Sequence, residues 1–223
     1  FILSKFVSEL PTKETTIFNH RGNKIMTEDK EIEILTRFDE PLIVVLGSVL
    51  DHDECDALIE LSKNHLKRSK IGSSRELSDI RTSSGAFLNV PDNEVIKRIE
   101  KRLASIIDIP TEHGEGLHIL NYQPGQEYKE HYDYFAPTSK AARNNRIATF
   151  VLYLNDVEEG GQTSFPKLNL SVSPKKGMAV YFEYFYNDQE LNELTLHGGA
   201  PVIQGEKWIA TQWIRRQKIS NLD

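Results

Sequence analysis

From Leu117 onward the chain is a succession of short apolar or alternating segments broken by glycine, proline and asparagine, and this punctuation constrains the fold more than any other feature. The segments are residues 117–122, 127–134, 146–154, 162–165, 170–172, 178–182, 195–197, 200–203 and 208–214, with turns read at Pro124-Gly125, Gly160-Gly161, Pro174 to Gly177, Gly198-Gly199 and Gln204-Gly205. About eight strands of this length and spacing predict a two-sheet jelly roll of the cupin type. Helical sequence comes earlier. Asp51 or Asp53 caps a predicted helix that runs to Lys67 on Cys55, Leu58, Ile59, Leu61 and Leu66. A second, beginning near Pro91-Asp92, aligns Val95, Ile96, Ile99, Leu103, Ile106 and Ile107 on one stripe. Ahead of both, Glu31 to Arg37 and the apolar run Pro41 to Leu46 read as strands. The expected class is α+β, with a double-stranded β-helix (jelly-roll, cupin-like) core and N-terminal supporting helices.

A chain of 223 residues is long enough for one substantial core, and no central linker divides it. Residues 1–38 are therefore expected to be an N-terminal arm and edge strand, and 39–223 the domain that carries the chemistry. With 27 basic against 33 acidic residues and a formal charge of -6, the chain has no general attraction for phosphates, so nucleic acid is excluded as the first-choice partner. Cys55 is the only cysteine, which leaves no intrachain disulfide to require an oxidising compartment. No apolar run approaches the roughly 20 residues needed to cross a bilayer, and the opening FILSKFVSEL lacks a basic region followed by a long apolar stretch. A cytoplasmic setting without membrane contact is the expectation. The arm and the strand near Pro41 could pair with a second copy as a homodimer, or cover their own sheet.

The chemistry-bearing residues lie within the strand-rich half. His131 and Asp133 are two apart, so on one strand they share a face, with Tyr132 on the other. His197 follows late in the strand series, and Lys207 lies ten residues beyond it. Two imidazoles and one carboxylate are the donor set of a facial iron site, which leaves coordination positions open for co-substrate and O₂. The carboxylate suits a hard, oxygen-preferring Fe(II). Each histidine can also be read as an ordinary core or surface residue, the reading given to His20, His52, His65, His113 and His118. Lys207, in a mostly apolar strand, must either reach water or meet an anion.

His131-x-Asp133, His197 and Lys207, together with Tyr122, Tyr128, the Glu159-Gly-Gly-Gln-Thr163 run and Trp213, resemble the catalytic domain of the prolyl 4-hydroxylase family, over about residues 40–216. The likeness is to its compact bacterial or algal members. The resemblance implies an Fe(II)- and 2-oxoglutarate-dependent dioxygenase with His131, Asp133 and His197 on the metal. It further implies that Lys207 pairs with the 5-carboxylate of 2-oxoglutarate, helped by the hydroxyls of Tyr122 and Thr163. Tyr128, Arg146, Trp213 and Glu115 are implied as substrate-groove residues, and ascorbate as the reductant. The implied reaction hydroxylates peptidyl proline at C4 in proline-rich or collagen-like segments, with O₂ consumed and succinate and CO₂ released. An aromatic groove suits the stiff polyproline II conformation of such peptides. Asp133 argues against a related halogenase, which replaces the carboxylate. Arg215 stands where some relatives have histidine, which puts the peptide preference in question. Other readings are hydroxylation of a free amino acid, a small molecule or another side chain, a catalytically silent jelly-roll binding module, and a nucleic-acid demethylase, the last disfavoured by charge. Ile71 to Ile80 and Pro137 to Asn145 are candidate lids.

Overall fold

The computed structural model describes residues 14–68, 70–71, 76–77, 80–88 and 93–219. Its framework is an antiparallel nine-stranded sheet. Across the sheet the strands run Lys24–Met26, Glu31–Asp39, Leu42–Gly47, Ala179–Glu183, Arg146–Tyr153, Lys207–Arg215, His118–Tyr122, Ser84–Phe87 and Lys67–Arg68. A smaller four-stranded sheet, in the order Leu170–Val172, Thr163–Phe165, His197–Gly199, Tyr128–His131, faces it. This is the jelly roll that the strand series predicts.

Strand periodicity divides the core into two. In the central strands, Val44, Leu46, Phe150 and Leu152 lie in one buried cluster with Cys55, Leu58, Ile96 and Ile99 of the two helices. Ile43, Val45, Val151, Tyr153 and Ile209 alternate with them and join Phe165 and Val172 of the smaller sheet, with Val202 of a short separate strand, in a second cluster. Because the large sheet is covered on both faces, its strands read as continuous apolar runs rather than clean alternations.

The first helix, His52–Lys63, begins at Asp51 in a capping box with Glu54. It ends before the predicted Lys67, since Lys67–Arg68 is a strand paired with Gly85 and Ser84. The second helix is Glu94–Ile106, and the Asn93 side chain accepts from the backbone N–H groups of Val95 and Ile96. Its predicted start at Pro91-Asp92 lies outside the described residues, as does most of the Ile71–Ile80 lid candidate, of which only the Lys70–Ile71 and Glu76–Leu77 pairing is described. Arg102 bonds Glu54 and Asp29 and ties this helix to the first and to the sheet edge.

The described part of the arm is firmly packed. Phe18 is 1 % exposed, and the Glu183 carboxylate accepts from the Thr16 hydroxyl and from the Ile17 and Phe18 N–H groups. The Pro137–Asn145 segment contains a short 3-10 helix, Lys140–Asn144, and Asn145 bonds both backbone groups of Phe135. No helix among the described residues is long and apolar enough to cross a membrane.

Candidate active site

The smaller sheet brings the three candidate ligands together. His131 ends one strand and His197 begins its antiparallel neighbour, and the two are directly paired. Asp133 lies just past the strand end rather than on it, so the expectation that one strand carries both residues on a common face is corrected: the bend after His131 turns the carboxylate back toward the imidazoles. Nε2 of His131 and Nε2 of His197 each lie 3.4 Å from an Asp133 oxygen. The three ligand atoms fall within 4.8 Å of one another.

The surroundings fit a metal. Nδ1 of His131 is 2.9 Å from the Lys129 carbonyl and Nδ1 of His197 is 3.0 Å from the Thr195 carbonyl. A carbonyl only accepts, so each Nδ1 carries the proton and each Nε2 presents a lone pair to the centre of the triad. Burial alone would raise the Asp133 pKa, but the imidazoles of His197 and His131 hold it well below the ordinary carboxylate range. Burial and the neighbouring His197 push the His131 pKa down, which favours the neutral, metal-binding form. The Thr149 hydroxyl donates to Asp133 Oδ2 at 2.8 Å and lies 3.1 Å from the Tyr184 hydroxyl. One carboxylate oxygen is thereby engaged by the protein and the other left for a metal.

At the opposite end of the same cleft, Lys207 opens its strand beside Tyr122, and its Nζ lies 5.4 Å from the Tyr122 ring centroid. It is 2 % exposed, and burial brings its pKa down to about 7. Thr163 and Tyr122 also line the cleft. The buried Tyr153 hydroxyl donates to Thr163 Oγ1 at 2.7 Å, so the Thr163 proton is left for an acceptor in the cleft.

Tyr128 stacks on the His131 ring, with centroids 3.6 Å apart and planes 15° from parallel, and Arg81 covers its other side at 4.8 Å. Glu115 is not free to meet a ligand. Arg146 bonds both its oxygens at 2.7 and 2.8 Å, and Arg215 bonds one of them at 2.6 Å. Arg146 also donates to the Asp133 carbonyl at 3.2 Å and lies 3.8 Å from the Trp213 ring centroid. The Glu115–Arg146 pair thus braces both the Asp133 backbone and Trp213.

Sequence reasoning missed Thr149, Tyr153, Tyr184 and Arg81. The available signal was alternation, because Thr149, Val151 and Tyr153 share the inner face of an otherwise apolar strand, where an oxygen requires a partner. The ordinary-histidine reading holds for His20 and His113, which bond the backbone carbonyls of Ile106 and Arg215. It fails for His118, which is buried with Nδ1 unpaired.

Residues 117–215 match the family model of the 2OG-Fe(II) oxygenase superfamily, the class that a jelly roll carrying this triad defines. The chain is 41 % identical over 200 residues to probable prolyl 4-hydroxylase 3 of Arabidopsis thaliana, covering 78 % of this chain and 69 % of that protein. It is 42 % identical over 219 residues to probable prolyl 4-hydroxylase 10 of the same plant, covering 87 % and 75 %. The structure of the viral collagen prolyl hydroxylase of Paramecium Bursaria Chlorella virus-1 in its 2OG complex is similar with a TM-score of 0.64 and 32 % identity, over 78 % of this chain and 95 % of that one. The chain belongs to the prolyl 4-hydroxylase family. It is a 2-oxoglutarate-dependent dioxygenase that works with Fe(II).

Proposed function

We propose that this enzyme hydroxylates peptidyl proline at C4 in proline-rich or collagen-like segments, with His131, Asp133 and His197 holding Fe(II). In this reading Lys207, with the hydroxyls of Tyr122 and Thr163, receives the 5-carboxylate of 2-oxoglutarate. The observation that carries it is the pairing of ends in one cleft: a preorganised donor triad shares the cleft with a buried lysine that has no anion partner among the described residues. Fe(II) and 2-oxoglutarate, when bound, supply the oxidising chemistry, in which O₂ is reduced, 2-oxoglutarate becomes succinate and CO₂, and one oxygen atom is delivered to the substrate carbon.

The protein's part is to bind, orient and exclude water. Thr149 holds the Asp133 carboxylate in one orientation, and Arg146 holds its backbone. Arg81 and Trp213 support the proline-rich reading. Arg81 Nε and Nη2 and Trp213 Nε1 are buried without a hydrogen-bond partner, and all three are donors only. Each proline in a peptide brings a carbonyl but no N–H, so a rim of unmatched donors complements a proline-rich strand better than an ordinary peptide. The two prolyl 4-hydroxylase relatives and the viral collagen prolyl hydroxylase, by their names, agree.

The test is enzyme reconstituted anaerobically with Fe(II), 2-oxoglutarate, ascorbate and a (Pro-Pro-Gly)n peptide, then exposed to O₂. Mass spectrometry is expected to show +16 on proline in step with succinate, both lost in His131→Ala. Succinate from the wild type without peptide oxidation would reject the peptidyl-proline reading and point to a free amino acid or small molecule.

A further inference from the structure

The inner face of the large sheet continues past the site to a second feature, in which Phe87 and His118 join Trp213. Lys207 pairs with Tyr122, Ile209 with Leu120 and Thr211 with His118, and His118 in turn pairs with Phe87 on the next strand. With a side-chain period of two, this face climbs from Lys207 and Tyr122, through Ile209 and Leu120, to His118, Phe87 and Trp213 at the mouth. There the three rings form a corner. Phe87 and His118 are stacked, with centroids 4.1 Å apart and planes 6° from parallel. Trp213 is tilted against both, 6.4 Å from Phe87 and 5.7 Å from His118. Gly85 permits the arrangement, since a Cβ there would stand 2.8 Å from His118 Nε2.

Two properties mark this corner as a binding feature rather than ordinary packing. Phe87 is 51 % exposed, so a flat apolar surface is open to solvent at the mouth. Beneath it, His118 and Trp213 are each 7 % exposed, and His118 Nδ1 and Trp213 Nε1 have no partner. Among the described residues the only other buried side-chain nitrogens or oxygens without a partner are the two of Arg81, which lines the cleft together with Trp213. Buried nitrogens of this kind are normally satisfied, and here they gather at and beside one cleft. Burial, with Arg81 and Arg146 nearby, pushes the His118 pKa down to about 3, and the ring is therefore a neutral platform.

We propose that Phe87, His118 and Trp213 form a subsite for a second proline of the peptide, beside the one that is hydroxylated. The proline ring packs on the exposed face of Phe87, which His118 and Trp213 hold in place from behind. The inference rests on the peptidyl-proline reading and adds a rule to it: recognition requires proline at one fixed distance from the target.

The test uses short peptides with a single target proline in an alanine host, and a second proline placed one or two positions before or after it. Hydroxylation of the target is read by tandem mass spectrometry, and kcat/KM for each peptide is compared with the alanine host within the same enzyme. Wild type is expected to favour one placement by about tenfold, the scale of a good aromatic contact. Phe87→Ala and His118→Leu are expected to bring that ratio to about twofold or less. Phe87 is half exposed, so its truncation does not threaten the core, and the ratio is internal to each variant. A wild type with no preferred placement, or a preference that survives Phe87→Ala, overturns the subsite while leaving the peptidyl-proline reading intact. Succinate formation without hydroxylation of any peptide overturns that reading and the subsite with it.

Discussion

At the candidate metal end of the cleft Asp133 and both imidazoles are held by bonds the protein supplies, whereas at the other end Lys207 is buried with no anion beside it among the described residues. The two ends solve different problems. A metal site must restrict its ligands before the ion arrives, because a loose carboxylate takes a second coordination position and an unfixed imidazole presents the wrong nitrogen. An anion site can leave its charge unpaired, because the co-substrate brings the partner, and the cost of the naked ammonium is recovered on binding. In the proposed reading, one end is complete in the free protein and the other is completed by 2-oxoglutarate.

The largest effect that would break this contrast lies at Lys207. Lys207→Met is expected to raise the KM for 2-oxoglutarate by about 100-fold or more, because the co-substrate carboxylate would be buried without its counter-charge. The same substitution is expected to raise the Tm of the ligand-free protein by about 3 °C or more, since it removes an unpaired buried cation. A variant with reduced Tm would mean that Lys207 already has a stabilising partner, and the difference between the ends would vanish. The pH dependence follows the same logic. With its pKa at about 7 in the free protein, Lys207 is charged below that pH and neutral above it. Binding of the carboxylate favours the ammonium, so affinity is expected to be flat below about pH 7 and to weaken toward about tenfold per unit above it, with proton uptake visible by calorimetry in buffers of different ionisation enthalpy.

A smaller effect tests the metal end. Thr149→Val removes the hydrogen bond to Asp133 Oδ2 with little change of volume and is expected to weaken metal binding by about 10-fold. Titration with Co(II), read by its visible absorption, reports both the affinity and any change in coordination, and an unaltered titration would show that Asp133 needs no such restraint. The smallest effect belongs to Tyr153→Phe. Its loss leaves Thr163 Oγ1 without its buried donor and is expected to raise the KM for 2-oxoglutarate about threefold to tenfold. Co(II) affinity should stay at the wild-type value, and a parallel loss of both would show the two ends to be coupled rather than independent.

Much of this was legible in the chain, for reasons that can be named. The strand series was readable because turn residues recur between short apolar segments, and the helices because apolar residues recur at helical spacing, with Asp51 a cap candidate ahead of the first. The main misreading concerned Gly198 and Gly199, taken as a turn but placed in the strand that carries His197. A Cβ at 198 would stand 2.9 Å from the Tyr128 carbonyl, so glycine is needed there for close approach between strands rather than for a bend. What the sequence does not show about Glu115 is its pairing, since Arg146 and Arg215 both bond its carboxylate.

The sequence by itself determined the donor set, the order of its members along the chain and the alternation that buries both faces of the large sheet, because each of these depends on residue type and local spacing. Only the tertiary structure decided which ordinary residues matter. Thr149 reaches Asp133, Tyr153 reaches Thr163, and His118 meets Phe87 and Trp213 through antiparallel registers that join positions far apart in the chain. The meaning of an inward-facing hydroxyl or imidazole lies in what stands across the cleft from it, and strand register, which no local pattern carries, sets that neighbour.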